Sequence, residues 1–157
     1  MGLIERLNNI DATIESRIRN HLGSDIEEFL FGPKEHGVKL KTPFLWVMTE
    51  DCDIVDKTAA LSEDWTLYYW IISGLNPERN ESTKDAMNRA VSLAIRASKS
   101  LMYDPKTGKE NRRLDNLVSD IRRKKWSPAD MRILEADEVL FGAGVYMAFK
   151  LLNKEGE

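Results

Sequence analysis

VLFGAGVYMAFKLL, residues 139–152, has two unequal faces when read with a period of two. Val139, Phe141, Ala143, Val145, Met147, Phe149 and Leu151 fall at every second position and are all apolar, while Gly142, Gly144, Tyr146 and Lys150 populate the other side. Successive side chains of a strand point to opposite faces, so the stretch predicts a strand with one face committed to a core. It is too short to cross a bilayer as a helix, which takes roughly 20 apolar residues, and Lys150 interrupts it. No membrane role is expected.

A core needs layers, and the preceding sequence supplies them. Leu3, Leu7, Ile10, Ile14, Ile18 and Leu22 recur every three or four residues, which predicts an amphipathic N-terminal helix that Gly23 ends. Ser24 and Glu27 have capping-box spacing and predict a further helical turn, followed by a loop over 31–37. From Val38 the chain reads as extended. Phe44, Leu45, Trp46, Val47 and Met48 suit a pleated surface, and Pro43 marks the start or an edge. Residues 65–72 give a second strand whose two faces both carry apolar side chains. The acidic stretch 50–56 reads as part of a long hairpin loop, which favours antiparallel pairing because a parallel crossover usually needs a dozen residues or more.

Ser82 and Asp85 open a long central helix with the stripe Ala86, Met87, Ala90, Val91, Ala94, Ala97, Ser98 and Leu101. Its alanines allow close approach to a sheet. Asp104-Pro105-Lys106-Thr107-Gly108 has turn chemistry, and Leu114, Leu117, Val118 and Ile121 suggest a short helix, with a strand as the alternative. Residues 131–136 and 139–152 read as one or two closing strands, with a turn or bulge at 135–138. The expectation is a single α+β domain over 1–157, a mainly antiparallel sheet packed against the N-terminal and central helices, with a basic variable segment at about 104–130.

With 157 residues, 42% of them hydrophobic, the chain can bury a full core without staples. Cys52 is the one cysteine, so no internal disulfide framework exists and a cytosolic setting is expected. The charge of −3 is unevenly spread. Residues 1–80 hold 8 basic and 14 acidic side chains, a balance of −6, and residues 81–157 hold 15 and 12, a balance of +3. Such a split marks a solvated face, a nucleic-acid surface or a contact between copies.

Candidate chemistry is sparse. Asp51-Cys52-Asp53 after an apolar run resembles the first motif of haloacid-dehalogenase-type phosphatases, where paired acids hold Mg²⁺ and supply a nucleophile. Ser73 imitates their second motif and Lys99 their phosphate-neutralising cation, but no further acidic pair follows a Gly-containing strand end. Gly142-Ala143-Gly144 lacks the third small residue of a dinucleotide fingerprint, Met147 standing there, and glycines facing a helix or a bulge account for it better. His21 and His36 have no cysteine near either, so no metal site is predicted through them. Cys52 reads as a plain thiol. No catalytic residue, cofactor or metal is therefore assigned. Arg122, Arg123, Lys124, Lys125 and Trp126 form the strongest cluster, and four cations beside an aromatic suit phosphates with a stacked base or an acidic patch on another protein. Taken as a helix, that run points around the whole circumference.

Thr42-Pro43-Phe44-Leu45-Trp46-Val47, then 65–72, then 86–102, and finally 139–152 together resemble the tail-terminator or tail-completion proteins of long-tailed bacteriophages and prophages. The resemblance is one of layout and covers most of the chain. It implies a non-enzymatic α+β subunit that self-associates into a ring, commonly hexameric, where the tail tube meets the head connector. Its partners would be tail-tube and connector proteins, and its location the cytoplasm during assembly and then the virion. A small Mg²⁺-dependent phosphatase and a nucleic-acid-binding module using residues 122–126 are the alternatives.

The inward face assigned to residues 139–152 is testable. Met147→Asp should cost several kcal/mol, because a buried carboxylate without a partner is poorly solvated. Equal denaturation midpoints for variant and wild type would show the face to be misassigned.

Overall fold

The computed structural model describes residues 2–33, 39–57, 62–127, 134–135 and 138–154. Helix α1 spans Leu3–Leu22 and buries Ile10, Ile14, Ile18 and Leu22 on one stripe, as a 3.6-residue period requires. Gly23, at φ 52°, ends it and donates its N–H to the Arg19 carbonyl. A 3₁₀ turn over Gly23–Asp25 then leads into strand β1, Glu28–Phe31. The further helical turn that the Ser24 and Glu27 spacing allows is thus a 3₁₀ turn without a side-chain cap, and it does not extend toward Phe29 and Leu30, which lie in the strand. β1 lies parallel to the start of β2, Phe44–Lys57, with Glu28 opposite Phe44 and Phe31 opposite Val47. An isolated helical turn closes few bonds for the residues it fixes, whereas the strand gains a ladder and buries Phe29. Of the loop expected over 31–37, Phe31 belongs to β1, Gly32 donates its N–H to the Val47 carbonyl (2.8 Å), and 34–38 lie outside the described residues.

β2 pairs antiparallel with β3, Ser62–Leu75, over 14-residue strands that run from Phe44 opposite Gly74 to Lys57 opposite Ser62. The pairing sense matches the sequence reading, but the acidic stretch is not a loop. It continues β2, interrupted by a bulge between Thr49 and Cys52. β3 pairs one side of the β2 backbone on either side of the bulge, and the Glu50, Asp51 and Asp53 side chains are exposed.

α2, Thr83–Met102, starts where predicted, with the Asp85 N–H donating to Ser82 Oγ (3.1 Å). Ala86, Ala90, Ala94 and Ala97 are buried, and the buried Ser73 of β3 donates its hydroxyl to the Ala90 carbonyl at 2.5 Å. Only a row of small residues lets helix backbone approach a sheet this closely. Met87 and Val91 are half-buried.

The short helix expected around Leu114–Ile121 is absent. Leu114, Asp115 and Asn116 have φ of 47°, 57° and 65°, a left-handed run that breaks any right-handed helix. Leu114, Val118 and Ile121 still reach the core, from a turn and from strand β4, Asp120–Ser127. Arg17, 9% exposed on α1, holds this turn by donating to Asp115 Oδ1 (2.6 Å) and the Tyr103 carbonyl (3.3 Å).

Strands β5, Leu134–Glu135, and β6, Glu138–Val139, form a small antiparallel pair, so the closing strand β7 is Phe141–Lys154 and Val139 lies before it. Residues 131–133 and 136–137 are outside the described residues. The five-stranded sheet has the order β1-β2-β3-β7-β4, antiparallel at every pairing except β1 with β2. The fold is therefore α+β, with α1 and α2 both packed into the core on one side of a mainly antiparallel sheet. Ala143, Val145, Met147, Phe149 and Leu151 of β7 are buried there.

Gly142 and Gly144 occupy the opposite face, which corrects the expectation that they face a helix. Gly142 pairs with Gly74, and the Phe44 ring lies on Gly74 so closely that a Cβ there would sit 2.2 Å from Phe44 Cζ. Phe44, Leu40 and Leu140 make a second, smaller core on this side.

Gly74→Ala should cost about 1–3 kcal/mol through overpacking. In a Phe44→Ala background the same change should cost little, because the two sites share one contact. Denaturant unfolding of the double-mutant cycle decides this, and equal costs in the two backgrounds would refute the contact.

Candidate interaction surface

The cluster singled out in the sequence sits on β4, an edge strand, not on a helix. That changes where its side chains go. Arg122 pairs with Ala148 and Arg123 with Met147; after a bulge at Lys124, Lys125 pairs with Tyr146 and Trp126 with Val145. Arg123 and Trp126 therefore share the face covered by the helices, and Arg122 and Lys125 share the other.

On the helix side, Trp126 is 55% exposed and lines a concavity of about 310 Å³ with Ile95 of α2, Val145, Arg123, Lys124 and Lys125, the last reaching it from its place between the two faces of the edge. A neighbouring hollow of about 490 Å³ straddles the sheet edge, lined by Met102, Arg112 and Arg123 together with Asp120 and Arg122 of the other face. Arg122 donates to Asp120 Oδ2 at 2.7 Å. Arg123 and Lys124 have no ion-pair partner among the described residues.

On the other side Lys125 Nζ lies 5.5 Å from the Trp70 ring centroid and 5.6 Å from that of Tyr146. Tyr146 stacks on Tyr68 with centroids 5.3 Å apart and tilts against Trp70 at 4.8 Å. The Tyr68 hydroxyl donates to Asp53 Oδ2 (2.7 Å), and this bond raises its pKa. Partial desolvation first, and then the nearby Glu50, Asp51 and Asp53 carboxylates, raise that of Tyr146. A row of aromatic rings thus joins the basic strand to the acidic one. The alternation of Thr66, Tyr68, Trp70 and Ile72 carried a signal for this row, but nothing in the sequence paired it with Lys125.

The phosphatase set is not assembled. Asp51 lies in the β2 bulge and Asp53 beyond it, next to the part of β3 that holds Leu67, whereas Ser73 is six positions further along β3, roughly 20 Å at about 3.3 Å per residue. Ser73 is buried and bonded to the Ala90 carbonyl. Lys99 lines a separate cavity of about 580 Å³ between α1 and α2, with Arg17, His21 and Arg96. There Arg17 and Arg96 already pair with Asp115 and Asp25. His36 is outside the described residues, among which no group of three or more His, Cys, Asp or Glu side chains is placed to hold a metal ion. Cys52 is an exposed free thiol whose pKa is raised, by desolvation first and by Asp53 second. No described helix is long and apolar enough to cross a membrane.

No protein-family model matches the chain, and no curated protein matches it.

The dispersal of Asp51, Ser73 and Lys99 predicts that purified protein incubated with Mg²⁺ and a generic phosphate ester shows no turnover that depends on Asp51. Phosphate release that Asp51→Asn abolishes would restore the phosphatase reading.

Proposed function

We propose that this chain is a non-enzymatic virion assembly subunit, a tail-terminator-like protein that forms a ring at the junction of tail tube and head connector in a long-tailed phage or prophage. The observation that carries the reading is the pair of unlike sheet edges. One edge exposes Glu50, Asp51 and Asp53 on β2, and the other exposes Arg122, Arg123, Lys124 and Lys125 on β4. A ring of identical subunits needs two different, mutually complementary surfaces on each copy, and opposite charge on opposite edges meets that need. The resemblance itself rests on the order of segments along the chain, an N-terminal helix, two aromatic strands, a helix and closing strands.

The nucleic-acid reading has less support. Lys125 lies over two aromatic rings, Arg122 is paired with Asp120, and Trp126 is on the other face from both. Glu50, Asp51 and Asp53 border the same aromatic row and would repel a phosphate backbone.

Single exposed ion pairs contribute only about 0–1 kcal/mol, so assembly needs several together with apolar contacts such as Trp126. Sedimentation of wild type and of a variant with Arg122, Arg123, Lys124 and Lys125 all changed to Glu, at low and high salt, with and without the tail-tube protein of the same genome, tests this. Wild type should assemble, less so at high salt, and the variant should not. A wild type that stays monomeric in every condition would overturn the ring; equal assembly of both would remove the basic strand from its contact.

A further inference from the structure

β1 covers only part of β2. It pairs with residues 44–47, and the last bond on that side is from the Gly32 N–H to the Val47 carbonyl. Beyond Val47, no strand among the described residues pairs with that edge of β2, which runs on to Lys57. The eight residues of β4 have β7 on one side and no described strand on the other. Apart from the Ile121 carbonyl, which accepts from Arg112 (3.2 Å), and the Asp53 carbonyl, which has the Cys52 thiol at 3.9 Å, both stretches present backbone N–H and C=O groups to no described strand, the usual template for pairing with another chain. The free part of β2 is long enough to take all of β4.

We infer that copies of this chain join by continuing the sheet, the outer edge of β4 in one copy pairing antiparallel with residues 48–57 of β2 in the next. This rests on the ring reading and adds how the ring closes.

Strand direction supports it. Each pairing from β2 through β3 and β7 to β4 is antiparallel, so the two edges run in opposite directions. Placing one copy beside the next with the helices on the same side then brings β4 antiparallel to β2, the commoner and slightly more stable arrangement. Charge also selects the partner. β4 against β4 would oppose Arg122, Arg123, Lys124 and Lys125 to themselves, and β2 against β2 would oppose acid to acid. Only the mixed pairing relieves both, and a mixed pairing is head-to-tail.

The faces agree as well. Asp53 pairs with Thr66 and so lies on the face away from the helices, as do Arg122 and Lys125 of β4. Ile54, 52% exposed, pairs with Trp65 and lies on the helix face, as does Trp126. Pairing would cover both of these exposed apolar side chains.

Cys52, exposed on the free stretch of β2 and on the helix face, is a native probe. Cross-strand neighbours on one face are within disulfide reach, so a second cysteine on the matching face of β4 should bond to Cys52 of the next copy. Arg123→Cys and Trp126→Cys occupy that face; Arg122→Cys and Lys125→Cys serve as wrong-face controls. Full-length variants that retain wild-type circular dichroism are oxidised at low and high salt, run without reductant, and sedimented in parallel with wild type. The expected result is a ladder extending past the dimer from Arg123→Cys or Trp126→Cys, weaker at high salt, lost on adding Cys52→Ser, and absent from the controls. If wild type assembles but neither variant gives a ladder, or bonds stop at the dimer, or the controls alone bond, the edge pairing is wrong and the ring survives. If wild type never assembles, both are wrong.

Discussion

The pairing of β3 with β7 determines most of the molecule. It is unbroken from Ser62 opposite Lys154 to Leu75 opposite Phe141. Because side chains alternate, this register places Tyr69, Ile71, Val145, Met147 and Phe149 under the helices and leaves Tyr68, Trp70 and Tyr146 on the other side. A slip of one residue would exchange the two sets. It would also separate Gly74 from Gly142 and remove the flat ground on which Phe44 lies. The ties between helix and sheet presuppose the same register. Ser73 reaches the Ala90 carbonyl, and the buried Tyr69 phenol, its pKa pushed far up by that burial, donates to Asp11 of α1 at 3.1 Å.

What the sequence disclosed followed from periodicity. The stripes of both helices and the alternation in β7 are each set by a local repeat, and each is present in the structure with boundaries shifted by a residue or two. The antiparallel pairing of β2 with β3 was read correctly, but local readings that a distant partner overrode went astray. Ser24 and Glu27 have the chemistry of a helix start, but the edge of β2 offers residues 28–31 a ladder. Leu114, Leu117, Val118 and Ile121 have helical spacing only because a left-handed turn and a strand both happen to point them inward. Arg17 stands outside the apolar repeat of α1, and its burial against Asp115 depends on a turn nearly a hundred residues away.

The candidate surface was half legible for the same reason. A run of cations is visible in any reading, but its division between two faces comes from the bulge at Lys124, and a bulge requires a partner strand. The acidic stretch was equally visible, and its composition suggested a solvated loop. Only the length of β3 shows it to be a strand, with the consequence that the two charged runs become the two borders of one sheet.

The position of β7 has a cost in time. It follows every other strand of the sheet in the chain, yet it lies between β3 and β4. The β2–β3 hairpin can form from local contacts, but the β3–β7 ladder joins residues some seventy to ninety positions apart and must wait for a large loop to close. During synthesis, until β7 emerges, the inner edge of β3 is bare and the apolar faces of α1 and α2 have only part of their floor. The nascent chain is then at its most adhesive, and its fate depends on whether the final strand arrives before a neighbouring chain does.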